Sequence, residues 1–209
     1  DNMTGTVTPR ILAVLAIAIA LAFCAGCTTT PAPQTTVPPT TPAASGTPAP
    51  GATTPAAGWV LYTSPAFGYS ISYPASCTAR EENGGATVTF TSPSEGPSDK
   101  YRENLKVVAE DLSAHPMNLD TYVATRMEAK KQGLANYNLI LDSPMRIGAL
   151  NSRKVAYTGR LGSDLMEWVE IYTIRGLTGY TLTFTAEESH YKNFVEASDH
   201  TMKSFAFTT

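Results

Sequence analysis

Hydrophobic and polar positions alternate through much of the chain's second half, and the pattern there is that of half-buried strands. Tyr69-Ser-Ile71-Ser-Tyr73 puts three large side chains on one face before Pro74 stops it, and Thr87-Val88-Thr-Phe90-Thr91 repeats the pattern before Pro93. Asn104 to Leu112, Lys154 to Thr158, Leu165 to Arg175 and Tyr180 to Ala186 read as further strands. In the last, Tyr180, Leu182 and Phe184 face in and Thr181, Thr183 and Thr185 face out. In Leu165–Arg175 neither face is polar, because Trp168 and Tyr172 oppose Val169 and Ile171, so that strand is expected at the centre of a sheet. Gly84-Gly85 and Thr178-Gly179 are the expected hairpin turns.

The period changes twice. Leu119, Tyr122, Val123 and Met127 form a helical stripe with Asn118 as its N-cap, and Tyr191, Phe194, Val195, Met202 and Phe205 form another after Glu187-Glu188-Ser189. Successive strands flanked by two amphipathic helices predict an α+β fold built on a mainly antiparallel sheet.

The first half follows different rules. Ile11 to Phe23 is an unbroken run of thirteen apolar residues, preceded by Arg10 and followed by small residues, which is the order of an export signal. The run is short for a spanning helix, which needs about 20 residues. Ala25-Gly26-Cys27 resembles the end of a lipobox, so residues 1–26 are expected to be a signal peptide and Cys27 the lipid attachment site. The plainer alternative is an uncleaved signal anchor; either leaves the domain on the outer side of the membrane. From Thr28 to Gly58 ten Thr and eight Pro occur with no charge and Val37 as the only large aliphatic residue. Such a segment cannot bury enough apolar surface to offset its ordering entropy. Residues 27–58 therefore read as a lipidated cysteine and a disordered Thr/Pro-rich tether, and residues 59–209 as one globular domain.

Charge is confined to that domain, apart from Asp1 and Arg10, and the net charge of −3 excludes the basic stripe of a sequence-independent nucleic-acid binder. If Cys24 is removed and Cys27 lipidated, Cys77 is the only thiol left, and no disulfide can form within the domain.

The order of these features resembles the PsbP-like domain, whose fold is shared with the Mog1 and DcrB-type families. The resemblance spans about residues 59–207. It rests on Gly68-Tyr69-Ser-Ile71-Ser-Tyr73-Pro74, Thr91-Ser92-Pro93, Asn104-Leu-Lys-Val107, Leu119-Asp-Thr-Tyr122, Gly179-Tyr-Thr-Leu182-Thr-Phe184-Thr-Ala186, Phe194 and Ser204-Phe205. It implies an α-β-α sandwich with helices on both faces of the sheet. The family that the chain resembles implies a non-enzymatic, extracytoplasmic accessory or binding protein, while the matching residues themselves are scaffold residues, which specify fold better than activity.

Candidate chemistry is sparse. His190 and His200 lie about 15 Å apart along one helix, too far to share a metal directly, and read with His115 as solvated residues. Ser189-His-Tyr-Lys192 matches a Ser-x-x-Lys string without its companion elements. The near pairs Glu81-Glu82, Glu167 with Glu170, and Glu187-Glu188 are expected at turns or strand edges where water suffices. Cys77 reads as a small buried hydrophobe. No catalytic residue and no cofactor follow, and a metal site is left open. The expectation is a lipid-anchored, non-catalytic docking module for an envelope protein or membrane complex, held on the extracytoplasmic face of the cell membrane. A module for a small ligand or divalent ion, and an envelope hydrolase, are the alternatives.

Overall fold

The computed structural model describes residues 57–208. The expected signal peptide, Cys27 and nearly all of the tether lie outside the described residues. Ten strands and two α-helices follow in the order β1 (Trp59–Ser64), β2 (Tyr69–Pro74), β3 (Thr78–Glu82), β4 (Thr87–Thr91), β5 (Asn104–Asp111), α1 (Leu119–Gly133), β6 (Ala135–Ile147), β7 (Leu150–Leu161), β8 (Asp164–Arg175), β9 (Thr178–Glu187), α2 (Tyr191–Ser204) and β10 (Ala206–Phe207). All pairings are antiparallel. β3-β4-β5-β9-β8-β7-β6 form a seven-stranded sheet and β1-β2-β10 a small one. This is the expected α+β architecture.

The large sheet carries a core on each face. Val88, Phe90, Leu105, Val107, Val169, Ile171, Leu182 and Phe184 pack beneath α2 and the small sheet, which contribute Met202, Tyr69 and Ile71, and beneath Phe205, which caps α2. On the reverse face Val155, Tyr157, Trp168 and Tyr172 pack against Tyr122 and Val123 of α1. β8 is paired on both sides and buries both faces, as its unbroken apolar pattern predicts. Burying two faces of one sheet is what allows a chain of this length to hold two helices against it.

Helix α1 starts where expected: the Asn118 side chain accepts from the Thr121 N–H at 2.9 Å, Asp120 sits in the first turn and Lys130 and Lys131 in the last, each complementing the helix dipole. α2 buries Thr201 and Met202, but Val195 points to solvent at 37 % exposure, because its position is turned about 100° from Phe194, which faces the sheet.

Three expectations shift. The β8–β9 turn is Gly176-Leu177, with Gly176 at φ +62, and Thr178-Gly179 already belong to β9. Thr181, Thr183 and Thr185 leave the Leu182 face but do not meet open water, since the other face of β9 lies beside α1. Residues 135–147 form a thirteen-residue strand that alternation does not reveal, because β6 is an edge strand exposed on most of its length.

Candidate functional site

Within the core on the α1 face lies a polar network organised around a buried acid. Glu170, central in β8, is 1 % exposed; its Oε1 accepts from the Thr183 hydroxyl at 3.0 Å and stands 3.4 Å from the Lys130 Nζ, and its Oε2 accepts from the Tyr172 hydroxyl. The expectation that the Glu167/Glu170 pair sits where water suffices is thus wrong for Glu170. Alternation places Glu170 between two covered layers, and the protein supplies the partners that water would have supplied. Burial, then the adjacent Glu170 charge, pushes the phenols of Tyr157 and Tyr172 far up. Next to this network Arg126 pairs with Glu110, which also accepts from the Tyr122 hydroxyl at 3.2 Å. The result is a groove of about 530 Å³ between α1 and strands β5, β9 and β8. Glu110, Arg126, Lys130 and Glu170 in it pair across α1 and the sheet, which seats the helix.

On the α2 face an apolar cleft of about 240 Å³ lies between α2 and the β2–β4 region, lined by Cys77, Phe90, Leu105, Phe184 and Phe194 among others. Cys77 is half-buried there rather than fully buried, and burial raises its thiol pKa, so it is not an activated thiolate.

At the end of that cleft the fold gathers acids distant in sequence. Glu95 comes from the loop after β4, Glu103 immediately precedes β5, Glu187 ends β9 and His190 precedes α2; the β5–β9 pairing, with Asn104 opposite Thr185, draws them together. His190 Nδ1 lies 3.4 Å from Glu187 Oε2, 3.5 Å from Glu95 Oε2 and 3.9 Å from Glu103 Oε1. Glu103 is buried; its Oε2 accepts from the Ser92 hydroxyl at 3.4 Å, while its Oε1 has no hydrogen-bond partner. Burial, then Glu95 and Asp99, raise its carboxyl pKa. Reading His190 as merely solvated misses this, because nothing in the spacing of residues 95, 103 and 190 signals that they meet.

The remaining candidates stay apart. His200 stacks on Trp59 with ring centroids 4.0 Å apart, and His115 is exposed in the loop after β5. Ser189 and Lys192 are both exposed. Glu81 accepts from the Tyr62 hydroxyl at 2.9 Å and Glu82 pairs with Arg80 on the exposed β3 edge, as expected of a solvated pair. Among the described residues no histidine ring hydrogen-bonds to a hydroxyl or thiol.

The two edges of the large sheet differ sharply. β3 presents Arg80, Glu81 and Glu82. β6 presents Leu139, Ile140 and Leu141 in succession, 48, 54 and 39 % exposed, at a point where its register with β7 shifts between Leu139 and Leu141. Among the described residues no helix is long and apolar enough to cross a membrane.

No family model and no curated protein matches this chain in sequence. Solved structures do match its fold. The solution structure of cyanobacterial PsbP (CyanoP) from Synechocystis is 17 % identical with a TM-score of 0.55, over 73 % of this chain and 94 % of that one. LpqN of Mycobacterium tuberculosis, described as involved in cell envelope biogenesis, is 10 % identical with a TM-score of 0.53, over 68 % and 83 %. A Pseudomonas aeruginosa protein of unknown function, a putative regulator, is 15 % identical with a TM-score of 0.52, over 70 % and 94 %. Residues 59–207 of this chain thus have the PsbP-like fold that their sequence pattern resembles.

Proposed function

We propose that this protein is a lipid-anchored accessory module of the cell envelope, which docks without catalysis onto an envelope protein through the β6 edge. The observation that carries the reading is the Leu139-Ile140-Leu141 patch. Exposed aliphatic residues scattered singly need no explanation, but three in a row on one sheet edge, opposite a charged edge, form a directional apolar surface. Pro144 and the register shifts on β6 blunt the edge against strand addition, so the partner would pack against side chains rather than extend the sheet. Leu161 and Leu165, 53 and 40 % exposed at the β7–β8 hairpin, add further apolar surface.

Two further observations support it. The apolar run Ile11–Phe23 and Cys27 supply an export signal and an anchor, and the Thr/Pro segment supplies reach of up to about 95 Å if fully extended at about 3.1 Å per residue. The envelope role of the LpqN neighbour accords with that location. Among the described residues no histidine base is joined to a hydroxyl or thiol. The test is chemical cross-linking in native membranes followed by capture of this chain. An adduct lost on Ile140→Asp and retained on Glu81→Gln supports docking at β6. An adduct indifferent to Ile140→Asp moves the docking surface elsewhere.

A further inference from the structure

The acids around His190 carry an inference independent of the docking surface. We propose that Glu95, Glu103 and His190 form a binding site for a divalent transition-metal ion of the Zn2+ type.

Geometry separates this from a simple cluster of charges. A protonated imidazole among carboxylates would donate from Nδ1 to one of them at about 2.7–2.9 Å. Here Nδ1 makes no hydrogen bond, and its three carboxylate neighbours stand at 3.4, 3.5 and 3.9 Å. One donor atom each from Glu95, Glu103 and His190 lie within 4.8 Å of one another. Ligands held at 2.0–2.2 Å around a tetrahedral ion stand about 3.4 Å apart, close to the 3.5 and 3.9 Å that separate His190 Nδ1 from Glu95 and Glu103.

Glu103 supplies the second observation. Its side chain is 1 % exposed, and the Oε1 aimed at His190 has no hydrogen-bond partner. A buried acceptor left without a donor is costly, and a metal ion at the centre of the cluster would satisfy it together with the His190 nitrogen. The site is also braced. The Glu95 backbone N–H donates to Asp99 Oδ2 at 2.9 Å, which closes the loop that presents Glu95, and the Ser92 hydroxyl holds the other oxygen of Glu103. Asp99 is therefore a positioning residue, and outer-shell contacts of this kind orient metal ligands.

The donor set fixes the class of ion. One imidazole nitrogen with carboxylate oxygens suits Zn2+ or Mn2+, whereas Ca2+ and Mg2+ prefer oxygen alone. Zn2+ is the appropriate probe because it accepts three or four such ligands in a tetrahedral arrangement.

The experiment is isothermal titration of Zn2+ into the protein at pH 7.5, after removal of metal with a chelator and alkylation of every free thiol, Cys77 included, to exclude thiolate binding. The expected result is one saturable site, weakened about tenfold or more by His190→Ala and by Glu103→Gln and unchanged by His115→Ala. The His190 side chain is 42 % exposed, so its variant is expected to fold, and circular dichroism checks both variants. The absence of a saturable site below about 100 μM, or equal affinity in the wild type and the His190→Ala variant, overturns the assignment.

Discussion

Adding one methyl group at Gly179 tests how α1 is seated on the sheet. Gly179 lies in β9, where a glycine ordinarily weakens a strand, and replacement by alanine should on that ground stabilise the fold by about 0.5–1 kcal/mol. The structure predicts the opposite sign. A Cβ at this position would stand 2.8 Å from Cζ, 3.0 Å from Cε2 and 3.0 Å from the hydroxyl oxygen of Tyr122. The ring cannot swing aside cheaply. Its hydroxyl donates to Glu110 at 3.2 Å and lies 3.0 Å from that of Thr181, its edge meets Tyr172 at 6.0 Å between centroids, and the Arg126 guanidinium lies 5.1 Å from the ring centroid. Overpacking of a constrained core costs about 1–3 kcal/mol, so, against that gain, Gly179→Ala is expected to destabilise by about 1 kcal/mol net. For a domain of this size that lowers Tm by roughly 2–4 °C in a thermal scan followed by circular dichroism. In a Tyr122→Ala background the clash is gone, and the same substitution should be neutral or slightly stabilising. A Tm raised by Gly179→Ala in the wild type, or lowered equally in both backgrounds, refutes the packing of Tyr122 against β9.

Three other outcomes follow from the same physical reasoning. Glu170→Ala leaves the Tyr172 and Thr183 hydroxyls without their acceptor and should cost about 3–5 kcal/mol in urea denaturation, while Glu170→Gln, which keeps one acceptor oxygen, should cost less. The pKa of Glu103 is raised in the fold, so its contribution favours folding below its unfolded value of about 4.5 and is lost as pH rises through its folded value. In the presence of a chelator Glu103→Gln should therefore raise Tm at pH 7.5 and do so less at pH 4; a lower Tm at pH 7.5 contradicts the burial argument. Mass spectrometry of the protein's mature N-terminus should find diacylglyceryl on Cys27, and an unmodified Cys27 ends the lipid-anchor reading.

What could be read from the sequence followed the strength of periodicity. β2, β4 and β9 alternate cleanly because one face packs on the core, and β8 betrayed its central place because Trp168 and Tyr172 are as apolar as Val169 and Ile171. α1 was legible from both its stripe and its Asn118 cap. β3 and β6 were not, since edge strands bury little and their composition answers to solvent or to partners rather than to a core. Glu170 was misplaced because a charged residue in an alternating pattern suggests water, and only the tertiary fold shows that α1 covers it. The grouping of Glu95, Glu103 and His190 depends on the β5–β9 pairing, a contact between segments about eighty residues apart that no local pattern encodes.

The docking claim is tested most directly in intact cells, with a photo-activatable amino acid placed at residue 140 and, as a control, at residue 81 on the opposite edge of the same sheet. Docking through β6 gives a discrete cross-linked protein adduct from position 140 and none from position 81. No adduct at 140, or the same adduct from both positions, would contradict it.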